Sequence, residues 1–216
     1  ALRDATISFK IRTALIEADR HRESSRHTYA ELRAAADLFT GALQAHGFEP
    51  GDRCAVLMQN QSKWIVGALG ALWAGATLVP LDYKLTAPEQ AALVAHGKPR
   101  VLLTEWPTWE KLALEPQGPF ERVLVVVTEA PEGAALGRAV RFESLRHQPA
   151  VYRERAREDL ACIVYSSGTG GTPKGCMLSH ANYLAQAEVL GRMYPMKEGE
   201  RYFSVLPTNH AIDFMC

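Results

Sequence analysis

The sequence has no excess of charge of either sign: Lys and Arg number 24, Asp and Glu 24. A nucleic-acid-binding chain usually carries a basic surplus to neutralise phosphates, so nucleic acid is not an expected partner. The densest charged run, Arg153-Glu154-Arg155-Ala156-Arg157-Glu158-Asp159, mixes signs and reads as a solvated segment. Cysteine is scarce. Cys54, Cys162, Cys176 and Cys216 form no Cys-x-x-Cys pair, and no histidine stands at zinc-ligand spacing from them. No metal-ligating residue is therefore assigned, and nothing calls for an oxidising compartment. Cys54 and Cys162 lie in apolar runs and read as small buried hydrophobes. No continuous apolar stretch approaches the ~20 residues of a membrane span. The richest, residues 64–80, is broken by Gly and Ala and reads as helix, turn and strand. Residues 1–10 carry charge and lack the apolar core of a signal peptide. A cytoplasmic protein with no integral membrane segment is the expectation.

What is present is an ordinary globular composition, 47% hydrophobic and 22% charged. At 216 residues the chain can bury a core of one or two domains. Thr28-Tyr29-Ala30-Glu31 is a capping box. Leu32, Ala36, Phe39 and Leu43 then share one helical face, and Gly47 supplies a left-handed stop. Residues 54–58 read as a buried strand. Ser62 is expected to cap a helix running to Ala74, whose Gly67 and Gly70 would let it approach a sheet closely. Residues 77–80 are the next strand. Thr86-Ala87-Pro88-Glu89 is a second capping box, and Gly97 is expected to stop that helix. Residues 101–104 and 123–127 are further strands. Alternating strands and helices predict an α/β fold with a largely parallel sheet flanked by helices. We divide the chain into a first α/β unit (1–129), an excursion rich in Gly, Pro and charge (130–158), and the start of a second unit (159–216).

An apolar strand over residues 160–165 leads into Ser166-Ser167-Gly168-Thr169-Gly170-Gly171-Thr172-Pro173-Lys174-Gly175. Glycine lets backbone N–H groups turn inward and form an anion-binding nest. The hydroxyls add donors, and Lys174 adds a charge suited to a triphosphate. The loop is not a P-loop, because Lys174 follows Pro173 and not a glycine. It is not a dinucleotide fingerprint either, because Pro173 stands where the third glycine belongs. A flexible surface linker is the remaining alternative on composition.

The segment YSSGTGGTPKGCMLSH, residues 165–180, resembles the phosphate-binding signature of the adenylate-forming superfamily. That superfamily contains acyl-CoA synthetases, nonribosomal peptide adenylation domains and firefly luciferase. Ser166 replaces the usual first Thr and keeps its hydroxyl. Gly170 replaces a Thr and loses one. Upstream, His27-Thr28-Tyr29-Ala30-Glu31-Leu32, Pro50-Gly51-Asp52-Arg53, Gln59-Asn60-Gln61-Ser62, and Ala74-Gly75-Ala76 with Val79-Pro80-Leu81 follow the family's order and read as framework. Leu206-Pro207-Thr208-Asn209-His210 is similar to the family's Leu-Pro-x-x-His, with Asp213 where relatives often have Gly.

The resemblance implies the front part of the large N-terminal, AMP-binding domain of a ligase that converts a carboxylic acid, expected to be a fatty acid, to acyl-AMP and then acyl-CoA. It implies ATP, Mg²⁺ and coenzyme A as cofactor and co-substrates, and a small-molecule carboxylate as substrate. Ser166, Ser167, Gly168, Thr169, Gly170, Gly171 and Lys174 are the candidate ATP-phosphate residues, and His210 the candidate substrate-pocket residue. His180 is expected to help start a helix over residues 181–192 capped by Ser179. No catalytic residue is assigned. The adenine-contacting, ribose-binding and C-terminal-domain lysine motifs are expected beyond Cys216, in a remainder of the chain that includes a C-terminal domain. The 216 residues alone are then expected to be inactive. A carrier-protein-loading adenylation domain and a non-catalytic scaffold are the alternatives, and the oligomeric state is unassigned.

Overall fold

The computed structural model describes residues 2–116, 120–145, 149–166, 173–195, 197, 199–204 and 208. The chain opens with a short helix, α1 (Leu2–Ser8), and an antiparallel hairpin, β1 (Thr13–Ala18) with β2 (Glu23–Thr28). Asp19 Oδ1 shapes the hairpin turn by accepting the N–H groups of His21 and Arg22 at 2.7 and 2.9 Å. Helix α2 (Tyr29–Ala45) begins at the expected box: Thr28 Oγ1 accepts the Glu31 N–H at 3.2 Å, and Glu31 Oε2 accepts the Thr28 N–H at 2.8 Å.

Strands and helices then alternate: β3 (Arg53–Leu57), α3 (Ser62–Trp73), β4 (Thr77–Pro80), α4 (Ala87–Gly97), β5 (Val101–Glu105), α5 (Trp106–Leu112) and β6 (Leu124–Thr128). After them come β7 (Val140–Arg141), β8 (Leu160–Ser166), β9 (Lys174–Ser179) and α6 (His180–Met193). Among the described residues seven strands form one sheet in the order β7-β6-β5-β3-β4-β8-β9. Every neighbouring pair is parallel except β8–β9. Side chains on a strand alternate between faces, and the core divides accordingly. Cys54, Val56, Leu78, Val101, Leu103, Val126 and Cys162 face one cluster with α2 and α3. Ala55, Leu57, Val79, Leu102, Val125, Val127 and Ile163 face the other with α4 and α5. A sheet buried on both faces explains why its strands read as unbroken apolar runs.

The close approach expected of α3 is present and is directed at two neighbours. A Cβ at Gly67 would stand 2.1 Å from Leu103 Cδ2 of the sheet, and one at Gly70 would stand 2.7 Å from the Ala36 carbonyl of α2. Thr40 Oγ1 ties the same crossing, 2.8 Å from the Gly70 carbonyl.

Two local expectations are corrected. Ser62 does not cap α3: Gln61 holds the cap position without a side-chain bond, and the Ser62 N–H is taken by the carboxylate of Glu17 on β1. The cap thus comes from a strand 45 residues away. The left-handed residue ending α4 is Lys98 (φ 46°), one position past Gly97. The 130–158 segment carries structure of its own. It supplies edge strand β7, and its buried Phe142 packs on Phe39 at 5.7 Å between ring centroids.

Candidate nucleotide-phosphate site

In an open parallel α/β sheet, ligands bind beyond the carboxyl ends of the strands. β8 runs parallel to β4, so Ser166 stands at that edge and the loop leaves from it. The chain returns as β9, antiparallel, with Ser166 opposite Lys174. Both residues are exposed. Strand therefore lies on both sides of the loop. Helix α6 starts only at His180, capped by Ser179 Oγ accepting the Asn182 N–H at 3.3 Å. No helix N-terminus opens at the loop's exit, unlike the phosphate loops that draw on a helix dipole. Ser167, Gly168, Thr169, Gly170 and Gly171 lie outside the described residues, as does His210.

The strand pair is packed closely beneath the loop. A Cβ on Gly175 would stand 2.9 Å from Ile163 Cγ2 and 3.5 Å from Tyr165 Cε1. The Tyr165 hydroxyl lies 2.6 Å from His96 Nδ1 at the end of α4, with the two rings edge to face. Burial raises the Tyr165 pKa and the nearby Arg53 charge opposes it, so the phenol stays protonated. This pair anchors the strand that enters the loop to the helix layer. The sequence reading missed His96; an exposed His near a helix end carries no periodic signal.

A second polar group sits at the same edge. Glu105, the last residue of β5, is buried, and its Oε1 accepts the Gln59 N–H at 3.0 Å and Gln61 Nε2 at 2.9 Å. Between them, Asn60 Oδ1 accepts both the N–H and the Oγ1–H of Thr208, each at 2.7 Å. Thr208, a residue of the segment read as Leu-Pro-x-x-His, thus meets the segment read as framework. Glu105 went unnoticed in the sequence, although a carboxylate closing an apolar strand at its carboxyl end is a signal for this position.

Other titratable groups are removed from reaction chemistry. Burial pushes the thiols of Cys54 and Cys162 up to about 12, so neither is a nucleophile near neutral pH. His180 is held below its ordinary value by burial and by Arg155, against the opposing charge of Asp159, which keeps it neutral. Among the described residues no group of three His, Cys, Asp or Glu could hold a metal ion. Among them also, no helix is long and apolar enough to cross a membrane.

The architecture is that of an adenylate-forming α/β domain. Residues 4–216 match the family model for AMP-binding enzyme, and the chain belongs to that family. It is similar to 3-hydroxybenzoate–CoA ligase from Aromatoleum sp. (strain CIB), 32% identical in an alignment that covers 82% of this chain and 34% of the ligase. It is also similar to a hybrid PKS-NRPS synthetase from Macrophomina phaseolina (strain MS6), 28% identical over 80% of this chain and 4% of the synthetase. Among solved structures, O-succinylbenzoate coenzyme A synthetase from Bacillus subtilis, in complex with ATP and magnesium ion, superposes with a TM-score of 0.77 at 22% identity. That superposition covers 99% of this chain and 52% of the synthetase, and carries the fold alone. The chain spans about a third or less of the length of these curated relatives.

Proposed function

We propose that the protein to which this chain belongs is an AMP-forming acid–thiol ligase. A carboxylate oxygen attacks the α-phosphorus of ATP, the bond to the β-phosphate oxygen breaks, and acyl-AMP and pyrophosphate form. The thiol sulfur of coenzyme A then attacks the acyl carbon, AMP leaves, and the thiol proton is lost to solvent. The β- and γ-phosphates are assigned to Ser166, Ser167, Gly168, Thr169, Gly170, Gly171 and Lys174, and the acyl pocket wall to His210. Catalysis of this kind is mostly positioning and electrostatic stabilisation of phosphate charge.

The observation that carries the reading is the loop's setting. A segment with the family's signature leaves the carboxyl edge of the sheet between two paired strands, with Lys174 opposite Ser166. Family membership supports the adenylating chemistry. A fatty acid is the narrower proposal for the acyl group. We further propose that residues 1–216 alone do not complete the reaction. The test is pyrophosphate exchange into ATP by the full-length protein, with fatty and aromatic acids compared side by side. Thioester formation with free coenzyme A separates a CoA ligase from a carrier-loading domain, the second reading, which the similarity to a PKS-NRPS synthetase favours.

A further inference from the structure

The strand pair that carries Ser166 and Lys174 is lightly tied where it leaves the sheet. Among the described residues, β8 registers with β4 at one position, Leu78 opposite Cys162, short of Tyr165. On its other side β8 pairs with β9, the last strand of the sheet. Tyr165 supplies a tie to the helix layer. Its register partner is Gly175, where a Cβ would stand 3.5 Å from Tyr165 Cε1, so the ring lies against the β9 backbone. Its hydroxyl is 2.6 Å from His96 Nδ1, and the two rings meet edge to face at 5.6 Å between centroids. The helix end that bears His96 is itself fixed, because Arg53 of β3 donates to the Gly97 carbonyl at 2.8 Å. A tyrosine over a glycine has more than one staggered χ1 well open to it, and the hydroxyl bond selects one. Position thus passes from β3 through the end of α4 to the ring. From the ring it passes to both strands: Ser166 follows Tyr165, and Lys174 precedes Gly175.

We infer that His96 is a positioning residue for ATP: through the Tyr165 hydroxyl it sets where Ser166 and Lys174 stand, without itself touching nucleotide. The inference rests on the ligase reading and on Ser166 and Lys174 as phosphate contacts. It makes an exposed side chain on α4 a determinant of ATP affinity.

The experiment is a double-mutant cycle in the full-length protein with His96→Ala, Tyr165→Phe and the pair, alongside His96→Asn, whose amide keeps a polar atom near the place of Nδ1. KM is measured separately for ATP and for the carboxylate. Each single change is expected to raise the ATP KM about fivefold, the net worth of one ordinary hydrogen bond. The double variant should be no worse than the poorer single, the carboxylate KM should stay within about twofold, and His96→Asn should recover most of the loss. An unchanged ATP KM, equal shifts in both KM values, singles that multiply, or His96→Asn matching His96→Ala would overturn the inference. If the parent adenylates no carboxylate, the ligase reading fails separately, and hydrogen exchange decides the brace. Faster exchange in His96→Ala confined to the amides of residues 165–166 and 174–175, with β3 and β4 still protected, supports it. Unchanged exchange there, or loss throughout β3 and β4, overturns it.

Discussion

Ser166 and Lys174 face each other as partners on antiparallel strands, so the loop between them is closed by a strand pair and not by a helix. That pair depends on Gly175, whose missing Cβ leaves room for Ile163 on the neighbouring strand. Gly175→Ala would place a methyl 2.9 Å from Cγ2 of the buried Ile163. Overpacking of this kind costs about 1–3 kcal/mol. Denaturant unfolding of the variant should show that loss at unchanged m value. A change below about 0.5 kcal/mol, the range of ordinary surface substitutions, would mean that β8 and β9 are less closely packed than described.

Glu17 links pH to the start of α3. Burial raises its pKa, but the Ser62 N–H and the Ser25 hydroxyl, with the His27 charge, outweigh burial and leave it below 4.5. A carboxyl with a depressed folded pKa contributes stability that is fully present above its unfolded value. That contribution is lost as pH falls through the folded value. Stability should therefore fall on acidification from about pH 5, and Glu17→Gln should flatten that part of the profile. Glu17→Ala, which removes the cap, should cost about 0.5–2 kcal/mol at neutral pH. An unchanged acid limb in Glu17→Gln would remove Glu17 from the role.

The central strands were legible because a sheet buried on both faces demands short unbroken apolar runs. Residues 77–80 and 101–104 announce β4 and β5 in this way. The capping boxes at Thr28 and Thr86 were legible for a local reason, since both partners lie within four residues. Hairpin strand β2, Glu-Ser-Ser-Arg-His-Thr, was hidden because it holds no apolar residue, so the alternation that marks a half-buried strand cannot show. β9 was hidden because Lys174 and Gly175 look like loop. At the candidate site, the motif marked the stretch that begins at Ser166 and reaches Lys174, but not that the two residues pair across strands. Asn60 with Thr208, and Glu17 with Ser62, could not be read from the sequence, because such pairs join distant segments through single polar atoms.

The 216-residue chain alone should associate with itself and bind ATP only weakly. Helix α6 has no buried residue, and Leu184, Val189 and Met193 on it are exposed, with Met177 on the preceding strand. Apolar surface of this kind favours association. Sedimentation velocity should show concentration-dependent oligomers, and Leu184→Lys with Val189→Lys should reduce them. Calorimetric titration with Mg-ATP should give a Kd near the millimolar range, about −4 kcal/mol. A monodisperse monomer, or micromolar affinity, would show that these residues form a more finished unit than proposed.

The most direct test is pyrophosphate exchange into ATP by the full-length protein, wild type against Lys174→Ala, across a panel of carboxylates. The account predicts exchange that requires a carboxylate and falls about 10- to 100-fold in the variant, the worth of one charge-assisted phosphate contact. Absence of exchange with every acid, or wild-type exchange by Lys174→Ala at both saturating and limiting ATP, would contradict it.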